Sequence, residues 1–247
     1  MCCFSKDVEV HTTRIFARSA EKGRQFLVYS MEASFKEDLA MILPLPVPAG
    51  SPEDALRFIS FKEYPKFFDD LHDGFPPEPA AKAEPPPTSR GEKPKALAVV
   101  EVGDFEASFV PTAKDFERLD VRFRLPAGIW DALPAVKGFG FAVFKLKKGS
   151  TSFHPMAFEF PRANPARLFF PTLHIHDGKA HEKARFSHAL YAQSREDERL
   201  DIQDWDESMQ PATLFLKVAK TQGVVDGDRH VYRRRIWGEQ KNEDVLA

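Results

Sequence analysis

The run Leu173-His174-Ile175-His176-Asp177-Gly178-Lys179-Ala180-His181-Glu182 holds the densest set of chemically capable side chains in the sequence. In a strand, residues two apart project to the same side, so His174 and His176 would present two imidazoles on one face. Asp177-Gly178 is a turn signal that would bring His181 back beside them, and His188 on the next strand would face them across the ladder. Three or four neutral imidazoles from one hairpin can ligate copper, zinc or iron. Glu182 or Asp177 would then serve as a carboxylate ligand or fix a tautomer. The second segment is Cys2-Cys3, the two cysteines of the chain, side by side at its start. Their Cβ vectors diverge, which disfavours a bridge between them. Two thiolates suit a soft metal. Alternatively, loss of Met1 would expose Cys2 as an amino-terminal thiol, with its own amine (ordinary pKa ~7.7) as the base.

Joining the two segments gives the sharpest expectation: a metal-binding protein with a mixed Cys/His site drawn from Cys2, Cys3, His174, His176, His181 and His188. Any catalysis is assigned to Cys2 and Cys3. Copper would support oxidation of a small molecule or peptide, and zinc would support hydrolysis or a purely structural role. The alternatives are an amino-terminal-cysteine hydrolase or amidase, and a non-enzymatic binding module whose aromatic β core displays loops to a protein. Beside these stands the plainer reading of exposed polar histidines and filler cysteines.

Other groups carry less. Asp201, Asp204, Asp206 and Glu207 lack the spacing of a calcium loop. Arg233-Arg234-Arg235 near Trp237 could grip an anion, but a basic triplet in a strand usually divides between surface and ion pair. His11 and His154 are single. Neither a glycine-rich phosphate loop nor a Gly-x-Ser-x-Gly elbow occurs.

The elements that must position these residues read mainly as strands. Residues 8–18 and 24–33 form a hairpin around Glu21-Lys22-Gly23, and the second strand is apolar on both faces, as a central strand is. Leu39 to Val47 is a strand whose Pro44, Pro46 and Pro48 place its end at an edge or rim. Ser51-Pro52-Glu53-Asp54 predicts a helix start, and Lys66 to Asp73 a second short helix. Strands are expected at 96–102, 105–110, 139–148, 153–160, 168–176, 184–193, 213–219 and 230–237. Short helical pieces are expected from Thr112 to Leu119 and at Trp130, with an irregular acidic stretch at 200–210. The class is β-rich α+β, mostly antiparallel sheets with a few short helices. Seven prolines between Phe75 and Lys95 predict a mobile loop within a single domain, 1–247. The alternative is two packed subdomains, 1–74 and 96–247. A solvated linker accounts for the composition of 75–95, which leaves protein docking through it disfavoured.

Composition narrows the partners. Phenylalanine is abundant, 23 residues against 4 Tyr and 3 Trp, which suits an aromatic core better than a polar stacking platform. A net charge of −2 exerts no pull on nucleic acid. No run is apolar and long enough to span a membrane, and the start lacks a secretory signal. The expected compartment is therefore the cytoplasm, with both thiols reduced.

Several pieces in order resemble a known family. They are Cys2-Cys3-Phe4, Ile15-Phe16-Ala17, Ala40-Met41-Ile42-Leu43-Pro44-Leu45-Pro46-Val47-Pro48, Gly140-Phe141-Ala142-Val143-Phe144-Lys145-Leu146-Lys147, and His154-Pro155-Met156-Ala157-Phe158-Glu159-Phe160. The order resembles the bacterial proteins grouped as domain of unknown function 2330, from Cys2 to about Phe170. The resemblance implies a shared fold and no particular activity. That family is largely exported, which this sequence does not share, and the histidines after Leu173 are not part of the resemblance.

Overall fold

The computed structural model describes residues 2–5, 8–34, 37–76, 100–102, 105–119, 121, 124, 136–146, 154–175, 181–195, 198 and 200–247. The proline-rich segment beyond Pro76, the expected piece at Trp130, and His176 to Ala180 lie outside them.

In chain order the strands are β1 (Cys2–Phe4), β2 (Glu9–Ser19), β3 (Arg24–Ser34), β4 (Leu39–Leu45) and β5 (Arg57–Ser60), followed by the helix α1 (Phe67–Asp73). After it come β6 (Val100–Val102), β7 (Phe105–Val110), β8 (Gly140–Leu146), β9 (Met156–Pro161), β10 (Phe169–Phe170) and β11 (His174–Ile175). The last are β12 (Lys183–Gln193), β13 (Asp206–Glu207), β14 (Tyr232–Lys241) and β15 (Val245–Leu246). A seven-stranded sheet has the order β13-β14-β12-β2-β3-β9-β5, and a six-stranded sheet the order β11-β1-β4-β8-β7-β6. Pairing is antiparallel except β1 with β11 and β12 with β2. The fold is β-rich, and α1 is its one α-helix among the described residues.

The two sheets pack face to face, and strand periodicity explains the three cores. Along β4, Leu39, Met41, Leu43 and Leu45 point inward against Ile15, Leu27, Tyr29 and Phe158 of the larger sheet. Ala40 and Ile42 point outward, under Phe116 and Leu119 of a 3-10 turn at Ala113–Arg118. On the outer face of the larger sheet, Phe16, Val28 and Tyr191 are covered by Phe67, Phe68 and Leu71 of α1 and by Leu216 and Val225. The central strands of each sheet are thus buried on both faces, which is why β3 and β4 read as two-faced apolar strands.

The hairpin turns as expected. Lys22 (φ 55°) and Gly23 (φ 69°) are both left-handed, the two-residue turn that matches strand twist. β4 is interior, but β1 reaches only Met41 and Ile42, so Pro44 has β8 as its neighbour and interrupts no second ladder.

Three expectations are corrected. Ser51 caps no helix: its hydroxyl donates to the Pro48 carbonyl, and the chain turns there and enters β5, captured by β9. Residues 213–219 are 3-10 turns at Ala212–Leu214 and Val218–Thr221, because their apolar side chains cap the outer core instead of extending a sheet. The strand expected over 168–176 is broken around Pro171 into β10 and β11. Buried Gln25 replaces a strand partner there, donating to the Phe169 carbonyl at 2.7 Å and accepting from its N–H at 2.9 Å.

Candidate functional site

The expected 174–188 hairpin does not form, since β11 and β12 lie in different sheets, and the chain's last residues hold the β11 segment in place. β15 pairs with β10, and Leu168 and Ala247 exchange backbone hydrogen bonds of 2.7 and 3.0 Å. Asn242 works as a clamp: its Oδ1 accepts from the His174 N–H at 2.7 Å, and its Nδ2 donates to the carbonyls of His174 and His181, each at 3.0 Å. Asp244 accepts from the Leu173 N–H at 2.9 Å. Sequence reasoning gave these two residues no role. An Asn-x-Asp pair in an otherwise undirected tail was the available signal.

The front of the chain and the histidine segment do meet. In the parallel β1–β11 ladder Cys2 is in register with His174, and Cys3 with Ile175. Cys3, however, is fully buried in the outer core of the smaller sheet with Ile42, Val143 and Ile175. That is a hydrocarbon setting in which a thiol acts as a small apolar group.

His174 and His188 come together directly. Their Nε2 atoms lie 3.0 Å apart, so one ring donates and the other accepts. The His174 ring stacks on Phe186 with centroids 4.5 Å apart, and His188 lies 5.1 Å from the same phenyl ring. His181 is exposed and lines, with His174 and His188, a cavity of about 480 Å³. His176 is outside the described residues. Among the described residues no three of His, Cys, Asp and Glu converge as metal ligands. The two imidazoles meet through their Nε2 atoms beside Phe186, while the His188 Nδ1 is buried and makes no hydrogen bond, and the Cys3 side chain is buried in the core.

A second cavity of about 600 Å³ lies between α1 and β14, with Arg14, Asp69, His72, Tyr191 and Arg235 in its wall. Asp69 is held there by Arg14 at 2.9 Å. His188 and Trp237 contribute to both cavities. Trp237 is 71% exposed, in a strand most of whose side chains are exposed or half-buried. β13 pairs with β14 only at Tyr232 and Arg233. From Arg234 to Lys241 no described strand takes that side of β14, leaving a line of backbone donors and acceptors beside the indole. Gly238, just after Trp237, has φ +78°, which twists the strand at this point. The basic triplet divides between surface and ion pair: Arg233 is buried, paired with Asp206 at 3.2 Å and stacked over Phe75, while Arg234 and Arg235 are exposed.

No family model matches the chain, and no curated protein matches it. Among solved structures, crystal structures of baculovirus P35 match nearly end to end. P35 itself is 12% identical, with 97% of this chain and 96% of that chain covered at a TM-score of 0.50. A mutated P35 after caspase cleavage is 14% identical over 96% and 97% of the two chains, with a TM-score of 0.48. P35 in its complex with caspase-8 is 9% identical over 95% and 94%, also at 0.48. At these identities the likeness is one of fold.

Two expectations are overturned. The copper or zinc protein gives way, because the described donors do not form a ligand set and the fold matched is that of P35. The expectation that disfavoured a protein partner meets a contrary finding: P35 in its complex with caspase-8 is among the structures matched. No described helix is long and apolar enough to cross a membrane.

Proposed function

We propose that this chain is a non-enzymatic protein-binding module whose partner is a protease of the caspase class. The observation that carries the reading is Trp237, exposed at the junction of two cavities and beside an open strand edge. A large rigid aromatic flanked by concave surface is the composition of a binding hot spot. An open edge offers main-chain hydrogen bonds to an extended segment of a partner. The fold shared with P35 over almost the whole chain supports the choice of partner.

The test uses the full chain with active caspase-8. Size-exclusion chromatography reads complex formation, and hydrolysis of a fluorogenic peptide reads access to the protease's cleft. The expected result is co-elution, with peptide hydrolysis falling as the chain approaches equimolar amounts. Separate elution and undiminished hydrolysis with the chain at about 50 µM, a concentration that saturates any specific complex of micromolar Kd, would sink the proposal.

A further inference from the structure

Beyond β13 the outer edge of β14 carries a sequence that is its own complement. The stretch is Arg234-Arg235-Ile236-Trp237-Gly238-Glu239-Gln240-Lys241, and among the described residues no strand takes this side of it. On its other side every residue pairs with β12, from Arg234 opposite Leu190 to Lys241 opposite Lys183, so the strand runs through Gly238 without losing register. Alternation puts Arg235, Trp237 and Glu239 on the outer face of the sheet, opposite Ala189, Ser187 and Arg185. All three are exposed. Ile236 points the other way and packs against the core between the sheets. Two residues on, Gly238 leaves open space: nothing lies within 4 Å of where a Cβ would stand.

We infer that this edge pairs with the same edge of a second copy of the chain, antiparallel about a two-fold axis through Trp237. In that register Trp237 faces Trp237, and Arg235 faces Glu239 on each side of the axis. Ile236 faces the open position at Gly238, and Arg234 faces Gln240. The symmetry repeats every one of these pairs, so each favourable charge pair counts twice. Charged residues ordinarily protect a sheet edge, and they do so when pairing sets like signs together. Here other registers do that. Offsetting one strand by one or two residues toward the carboxyl end sets Arg234 or Arg235 against Lys241. Offsetting it the other way shortens the ladder against β13. Charge therefore selects one register and one orientation.

Pairing displaces two exposed contacts, Glu239 with Lys183 at 3.5 Å and the Trp237 carbonyl with Gln240 Nε2 at 3.2 Å. Exposed contacts of this kind are weak. The ladder from Arg234 to Gln240 is short beside a standard interface, which puts the dimer's Kd at about 10–100 µM. The dimer covers Trp237 and so competes with a protease for the same edge. That consequence rests on the protease reading; the pairing itself does not.

Sedimentation velocity of the full chain alone, from about 1 to about 500 µM, tests the inference. The expected result is a passage from monomer to dimer across that range. Arg235→Glu and Glu239→Arg each set like charges opposite one another twice, and each should raise Kd at least about tenfold. An equimolar mixture of the two variants regains opposite charges at both positions and should associate as the parent does. Thermal denaturation checks that both variants fold, as substitutions of exposed side chains should. A parent that stays monomeric at about 500 µM, variants that dimerise as the parent does, or a mixture that stays monomeric would overturn the inference. No protease is present, so failure here leaves the reading above standing, and failure of that reading leaves the pairing.

Discussion

Truncating Trp237 should separate binding from folding. The indole is 71% exposed, and the hydrogen bond at this position, from Gln240 Nε2 at 3.2 Å, goes to the backbone carbonyl, which alanine keeps. Surface substitutions of this kind change stability within about 0.5 kcal/mol, about 2 °C in melting temperature for a chain of this size. A tryptophan offers about 250 Å² of surface, so about 180 Å² of it is open to a partner. At about 25 cal/mol per Å², burying that area is worth at most about 4.5 kcal/mol. Ordering costs reduce this, and truncated hot spots usually lose 2 kcal/mol or more, so Kd should rise at least about 30-fold. Surface plasmon resonance of parent and Trp237→Ala over immobilised caspase-8, beside thermal denaturation of both, provides the two readouts. Equal affinity in the two proteins would refute the placement of the interface. A melting temperature lowered by about 10 °C would refute the view that the indole has no structural duty.

Three further outcomes follow from named contacts. Asn242→Ala removes three side-chain hydrogen bonds of the clamp, at a cost of about 3 kcal/mol, and the His174 amide should exchange with deuterium much faster while the Leu27 amide does not. Gly238→Ala forces an alanine to φ +78°, costing about 1–2 kcal/mol in urea denaturation and shifting the Trp237 fluorescence maximum. Burial pushes the Tyr64 phenol well above its usual range, with the Lys217 N–H it accepts opposing the shift and Asp70 adding to it. A raised folded pKa means the contribution is intact below the unfolded value of about 10 and is lost as pH climbs above it. Tyr64→Phe should therefore cost about 1–3 kcal/mol at pH 8, and its stability should fall less steeply than the parent's above pH 10.

The central strands were legible because their residues carry the signal on both faces: Phe26 and Val28 against Leu27 and Tyr29 can only be satisfied in a sheet covered twice. α1 was legible for the same reason, since Phe67, Phe68 and Leu71 make one apolar stripe. The helix expected at Ser51 failed because cap chemistry nominates a start without supplying anything to propagate. Arg57 to Ser60 gained a ladder with β9 that outweighed the local preference. The strand expected at 213–219 failed because apolar alternation over Phe215 and Leu216 fits a turn capping a core as well as it fits a strand. At the site, spacing placed His188 across a ladder from His174, whereas the two lie in different sheets and meet between them, and no periodicity announces Phe186 stacked against His174. Trp237 could have been suspected from an indole in a strand, Tyr232 to Lys241, too polar to be buried on both faces.

Chemical side chains are cheap structural material when a sheet is buried on both sides, and that explains why residue type misdirected the search for a site. β1 has three residues, and burial of Cys3 among Ile42, Val143 and Ile175 helps fasten it between β4 and β11. The His174–His188 hydrogen bond ties β11, which closes the smaller sheet, to β12 of the larger sheet, at a place where neither strand pairs with the other. An aliphatic pair there would fill the space but leave the gap between sheets without a directional link. Both residues are thus accounted for by what holds the two sheets in register. A surface element such as Trp237 has no such structural explanation: it is largely exposed and sits on an edge that strands normally protect. In a molecule whose interior absorbs its reactive groups, function is better sought among residues the fold does not need.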